Sequence, residues 1–210
     1  MSLRASVIAI MCGGCLSPPS DGIVIVKDVP IAPNDLGGEH FIARVLDGDT
    51  VMLDRADDLG ITIRMIGINA PEISEPAECW GPEAAAFTES ALLGREVIVT
   101  YDGGEEQDIY GRTLAYLWAI GDTLEDLSDL PGVNEVVELD SDLSEDGRAL
   151  MFNEHLASQG YARVYAADVF GESKYQARLE SAQAVATNAS RGLWGACGTQ
   201  TPAAMEWGEP

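Results

Sequence analysis

Lysine is almost missing from this sequence. Lys27 and Lys174 are its lysines, the other bases are arginines, and 12 Lys and Arg stand against 35 Asp and Glu for a formal net charge of -23. That balance excludes the broad basic footprint with which many proteins neutralise a phosphate backbone, so any phosphate contact has to come from a few locally placed arginines. An acid-rich, lysine-poor surface suits a salty medium, where the Debye length falls to roughly 3 Å at 1 M and like-charge repulsion is muted. Histidine is as scarce: His40 and His155 alone leave no Cys/His ligand set for zinc and no motif for histidine-dependent hydrolysis. The apolar stretch Ala5 to Met11 is too short to cross a bilayer, which takes about 20 residues.

At 210 residues and 46% hydrophobic content, the chain can form one sizeable globular domain with appendages. Met1-Ser2-Leu3-Arg4, the short apolar run and Cys12-Gly13-Gly14-Cys15 read as a secretory signal. Small residues before a cysteine resemble the processing box of bacterial lipoproteins, with residues 1–14 removed and Cys15 lipidated, although Cys12 stands where that box prefers an aliphatic residue. The expected location is the bacterial cell envelope, held to a membrane only through that lipid anchor, or the medium outside. Residues 15–38, with Pro18, Pro19, Pro30 and Pro33, read as a tether interrupted by the apolar Ile23 to Val26. Residues 39–197 form the domain, and residues 198–210 read as a flexible tail. Beyond Cys15, the mature chain retains Cys79 and Cys197, which in an exported protein form one disulfide or remain two buried thiols.

The most informative stretch runs from Asp47 to Glu72. Two β-rich runs, His40 to Leu46 and Thr50 to Leu53, flank Asp47-Gly48-Asp49, a hairpin signal, and a third run follows from Ile61 to Ile68. Read plainly, Asp47 and Asp49 are turn residues and Arg64 is a surface ion-pair partner. Read for chemistry, Asp49 and Asn69 offer the hard oxygen ligands that calcium takes, Glu72 offers a base and Arg64 a phosphate clamp.

The order Asp47-Gly48-Asp49-Thr50, a strand, Arg64, then Pro71-Glu72 after a strand end resembles the first signature of the staphylococcal nuclease (thermonuclease) family. Asp108-Ile109-Tyr110-Gly111-Arg112, followed by the apolar Leu114 to Ala119, is similar to its second. The resemblance runs from His40 to Trp194. It implies an α+β, mainly β fold: a five-stranded oligonucleotide/oligosaccharide-binding barrel with about three helices. Strands over Glu96 to Tyr101 and Arg112 to Ile120 complete the five. A helix opening at Gly81-Pro82 and ending at Gly94 places Phe87 in the core, and further helices are expected over Phe152 to Ser158 and Glu172 to Asn188.

The resemblance also implies a monomeric, calcium-dependent endonuclease acting on DNA or RNA. Asp49 and Asn69 would supply side-chain ligands, Ala70 its backbone carbonyl, and Asp47 support from behind. Glu72 would activate water, and Arg64 and Arg112 would hold phosphate oxygens. Tyr110 would contact a terminal phosphate or sugar, or be barrel surface. This chain departs from the family at Asn69, where an Asp is common, at Ile109, where a base is usual, and in its acidic loop Ile73 to Cys79. It also carries an acid-rich, base-free insertion, Gly121 to Gly147. Within that insertion, Asp140 to Gly147 imitates a calcium loop, but its glycine is misplaced and the closing Glu is missing. A competing reading from the acidity and Asn69 is a catalytically silent barrel on a lipid anchor, acting as an interaction module.

Overall fold

The computed structural model describes residues 23–24, 40–54, 60–102, 107–121, 127, 136–137, 148–165 and 173–197. The residues expected to form a signal segment (1–14, with Cys15 after them), most of residues 16–39, most of the acidic insertion and residues 198–210 lie outside the described residues. Within the tether, β1 (Ile23–Val24) runs parallel to β8 (Val136–Val137) in the insertion.

Five strands close a barrel. β2 (His40–Asp47), β3 (Thr50–Leu53) and β4 (Ile61–Met65) form an antiparallel meander, and β6 (Glu96–Thr100) pairs with β2 and with β7 (Thr113–Gly121). A parallel pairing of Ile63–Met65 with Thr113–Ala115 joins β7 back to β4. Alternation explains the closure: in β6, Val97 and Val99 are buried while Glu96 and Ile98 are only half-buried, so successive side chains face opposite sides of the wall. Val51, Leu53, Ile63, Met65 and Leu117 complete the buried interior.

The expected single run from Ile61 to Ile68 is instead broken. Gly67 takes φ +78°, a left-handed conformation that glycine adopts without a Cβ penalty. The chain therefore turns out of the barrel after Met65, and β5 (Ile68–Asn69) pairs with β10 (Arg163–Val164). β9 (Arg148–Met151) adds a further strand beside β7.

Four helices are described: α1 (Gly81–Leu92), α2 (Phe152–Gln159), α3 (Gln176–Asn188) and the one-turn α4 (Leu193–Ala196). α1 buries Ala84, Phe87, Ala91 and Leu92, the helical spacing read from sequence, and the Phe87 ring stacks on Tyr161 at 4.0 Å. α2 ends at Gly160, φ 76°. Asn153 stitches this helix to the barrel, accepting from the Leu117 N–H at 3.0 Å and donating to the Ile66 carbonyl at 2.9 Å. α3 lies on α2, with Arg178 paired to Glu154. Cys79 and Cys197 form a disulfide across a sequence separation of 118 residues.

Candidate active site

The β2–β3 turn carries two aspartates in different surroundings. Asp49 is 4% exposed. Its Oδ2 accepts from the Ala70 N–H at 2.7 Å and faces Arg64 Nη2 at 3.0 Å, while its Oδ1 accepts from the Thr50 hydroxyl at 3.0 Å. Asp47 accepts from the Gly48 N–H at 2.6 Å and shares a side-chain hydrogen bond with Glu72. Burial first, then that hydrogen bond and the charges of Asp49 and Glu72, push the Asp47 carboxyl from 3.8 up to about 8. The turn is fixed from below: the Thr88 hydroxyl on α1 donates to the Gly48 carbonyl at 2.6 Å.

Arg64, only 2% exposed, is a buried cation rather than a surface partner. Nη1 donates to the carbonyls of Met65 (2.6 Å) and Ile68 (2.9 Å), and Nη2 to Asn69 Oδ1 (2.9 Å) and Asp49. The break after Met65 creates this cradle, because it turns the carbonyls of residues 65 and 68 toward one guanidinium. Arg64 Nε has no hydrogen-bond partner among the described residues. A buried unsatisfied N–H costs about 1–3 kcal/mol, and an anionic oxygen would satisfy it.

Asn69 is held by a residue that sequence reasoning missed. The Tyr165 hydroxyl donates to Asn69 Oδ1 at 3.0 Å and lies 3.4 Å from Arg64 Nη2. The β5–β10 ladder pairs Arg163 with Asn69, and Tyr165, two residues on, shares the face of Arg163. The only signal for this in the sequence was period-two alternation after Gly160.

Arg112 sits at the start of β7, one residue before the segment in register with Arg64. Asp108 organises its turn: Oδ1 accepts from the N–H groups of Tyr110 and Arg112, both at 2.9 Å, and Oδ2 accepts from Arg112 Nε at 2.6 Å. Gly111 takes φ +75°. The guanidinium Cζ lies 5.3 Å from the Tyr110 ring centroid. Tyr110 itself is 72% exposed and Ile109 69%. Asp49, Arg64, Asn69 and Ala70 thus form one hydrogen-bonded network, Asp47 and Glu72 share a hydrogen bond within reach of the Asp49 charge, and Arg112 with Tyr110 forms another group at the start of the strand paired with β4.

The donor set suits a hard divalent cation. Among the described residues no three carboxylate, imidazole or thiolate side chains form a cluster able to hold a metal by themselves. Asp49 and the Ala70 carbonyl, with water or substrate oxygen, suit calcium, which accepts neutral oxygens and irregular geometry; Asn69 Oδ1 already accepts from Arg64 and Tyr165 and would exchange one of those donors for the ion. Burial is the first cause of the raised Asp47 carboxyl, and the charges of Asp49 and Glu72 add to it; a cation nearby would offset that like-charge repulsion.

A sequence model of the staphylococcal nuclease homologue family matches residues 62–196. The thermonuclease of Staphylococcus hyicus is 35% identical over 158 residues, 74% of this chain and 75% of that protein. The thermonuclease of Staphylococcus intermedius is 32% identical over 164 residues, 76% and 79% respectively. The SPbeta prophage-derived endonuclease YokF of Bacillus subtilis (strain 168) is 28% identical over 86 residues, 40% of this chain and 29% of that protein. This chain belongs to the staphylococcal nuclease family.

Proposed function

We propose that this chain is a calcium-dependent nuclease that hydrolyses DNA or RNA phosphodiester bonds on the 5′-oxygen side, leaving 3′-phosphate ends. The chain is a hydrolase of the nuclease class, in keeping with its family and with the names of its relatives. The observation that carries the finer reading is the junction at Arg64 Nη2, 3.0 Å from Asp49 and 2.9 Å from Asn69. It brings together a guanidinium and two side-chain oxygens, the groups that this reading assigns to phosphate and to calcium.

Asp49, Asn69 and the Ala70 carbonyl would hold calcium, with Asp47 behind them. Bound calcium supplies positive charge to a phosphate oxygen and to the attacking water. Arg64 offers its free Nε–H, and Arg112 its guanidinium, to non-bridging oxygens, where planar donors stabilise the charge that builds in the in-line transition state. Glu72 takes the proton of the attacking water, with Asp47 hydrogen-bonded beside it. The bond from phosphorus to the 5′-oxygen breaks, and Arg112 assists that oxygen as it leaves. Asn69, carrying no charge where the family commonly has a carboxylate, gives a higher calcium requirement. The cystine supports export, since such bonds persist in oxidising compartments, and the lipid-anchored envelope location belongs to the same proposal.

The test is degradation of single-stranded DNA by the purified chain with calcium or chelator, beside Glu72→Ala and Arg112→Ala. Cleavage that requires calcium and is lost in both variants is expected. Full activity in chelator overturns the calcium reading, and no cleavage by folded protein at any calcium concentration overturns the activity.

A further inference from the structure

The segment that carries Glu72 into α1 has little apolar anchoring. Residues 73–77 are all exposed, and its one large apolar side chain, Ile73, is 40% exposed. A single residue grips Glu72 from both directions. The Glu72 N–H donates to Glu78 Oε2 at 3.1 Å, and the Glu78 N–H donates to the Glu72 carbonyl at 2.9 Å. The Glu78 carbonyl in turn accepts from the Gly81 N–H at 3.0 Å, where α1 begins.

Cys79, immediately after Glu78, is bonded to Cys197. Cys197 closes α4 through its N–H to the Leu193 carbonyl at 3.0 Å, and the Leu193 N–H fastens α4 to the Gly160 carbonyl at the end of α2 at 2.9 Å. A second link runs the same way. Arg163 lies over the Trp194 ring of α4 at 4.5 Å, and the charge of Glu78 supports the Arg163 guanidinium against its burial. The C-terminal helices are thereby connected to the residue that holds Glu72, 118 residues of sequence apart at the disulfide.

We infer that Glu78 and the Cys79–Cys197 cystine form a redox-sensitive positioning device for Glu72, active when the disulfide is closed. The inference rests on the reading of Glu72 as the base. Glu78 touches neither substrate nor metal and acts through Glu72. A dithiol reductant opens the device: its thiolate attacks a cystine sulfur, the S–S bond breaks, two protein thiols form, and the reductant leaves as its own disulfide, two electrons and two protons having been transferred. Cys79 is exposed, so the attack has a path. Opening the bond removes the covalent tie between the 73–79 segment and α4, leaving Glu78 its hydrogen bonds and its charge contact with Arg163. A displacement of about 1 Å at a catalytic group costs up to about 100-fold in rate.

The test uses the full chain, oxidised and after dithiothreitol, with Cys79→Ser/Cys197→Ser, Glu78→Ala and Glu78→Gln. Three quantities are read under conditions where near-ultraviolet circular dichroism shows every form folded: amide hydrogen exchange at Glu72, calcium affinity, and kcat on a short oligonucleotide. Reduction, the double variant and Glu78→Ala should each speed Glu72 exchange and lower kcat by about tenfold or more. Calcium affinity should stay within about twofold, and exchange of the β6 amides should not change. Glu78→Gln, whose amide oxygen still accepts from the Glu72 N–H, should keep both near their starting values. Unchanged exchange and kcat in the reduced protein overturn the inference and leave the nuclease reading standing. If the oxidised chain cleaves nothing, the nuclease reading falls, and with it the claim that a base is being positioned.

Discussion

Gly48→Ala tests how tightly the two-aspartate turn is built into the domain. A Cβ placed on Gly48 would lie 2.6 Å from the Ala70 Cβ and 2.9 Å from the Ala84 Cβ. Ordinary carbon contacts sit near 3.5–4.0 Å, so the new methyl overlaps both neighbours by about 1 Å. Neither neighbour can rotate away, because a Cβ moves only with its backbone. Ala84 belongs to α1, and the Ala70 N–H is the donor to Asp49 at 2.7 Å. Relief therefore means shifting the helix, or shifting Ala70 and with it Asp49. Overpacking of this kind costs about 1–3 kcal/mol. For a chain of this size each kcal/mol lowers Tm by about 2–4 °C, which gives a fall of roughly 2–12 °C. Displacement of Asp49 should also weaken calcium binding, by about tenfold on the usual scale for groups that orient a ligand. Thermal unfolding with and without calcium, beside isothermal titration, measures both effects. A Tm within 1 °C of the parent chain together with unchanged calcium affinity would refute the packing argument.

Asn69→Asp restores an anionic ligand and should tighten calcium binding about tenfold; equal or weaker affinity by titration would place Asn69 outside the metal set. Tyr165→Phe removes one of the two donors on Asn69 Oδ1, and should raise the calcium Kd by about tenfold while lowering Tm by only a few degrees. The Asp47 carboxyl is raised from 3.8 to about 8 by burial and by its carboxylate neighbours. The folded state thus holds that proton more tightly than the unfolded chain, and the associated stability is fully present below 3.8 and lost as pH rises toward 8. Urea unfolding in chelator should show midpoints falling with pH across that window, and Asp47→Asn should flatten the slope; an unaltered slope in the variant counts against the assignment. With net charge -23, kcat/KM on a long single strand should first rise between about 0.01 M and 0.1 M salt as repulsion is screened, then fall as the few phosphate contacts weaken. A steady fall from the lowest salt would contradict this.

Local patterns in the sequence revealed most of the barrel and half of the site. Alternation in Glu96 to Thr100 and the Asp-Gly turn at Gly48 are nearest-neighbour signals, and helix α1 announces itself through Pro82 and the spacing of Ala84, Phe87 and Ala91. What could not be read depends on contacts between distant residues. The turn at Gly67 lies inside a run that is apolar on either side, so in the sequence β5 reads as a continuation of β4 and its partner β10 has no pattern of its own. Tyr165 reaches Asn69 from 96 residues away and carries no motif of its own. Glu78 reads as one acid in a polar loop, because its carboxylate and its N–H grip the backbone of Glu72, not its side chain, and a side-chain pattern does not encode such a contact. Arg64 had the right identity in the sequence, but its burial, which changes what its charge is worth, appears only once the Met65 and Ile68 carbonyls converge on it.

That burial resolves the tension between an acidic chain and an anionic substrate. Two unit charges 4 Å apart interact by about 1 kcal/mol in bulk water and by about 4 kcal/mol at an effective dielectric of 20. A guanidinium that is 2% exposed works nearer the second figure, whereas an exposed carboxylate works nearer the first and is screened beyond about 10 Å at 0.1 M salt. Arg64 shares that setting with Asp49, 3.0 Å away and also buried, so the pair is close to neutral and locally cancels the repulsion that the whole molecule exerts on a polyanion. Asn69 fits the same economy: beside Asp49 it supplies an oxygen without adding a second full negative charge for the buried Arg64 to offset.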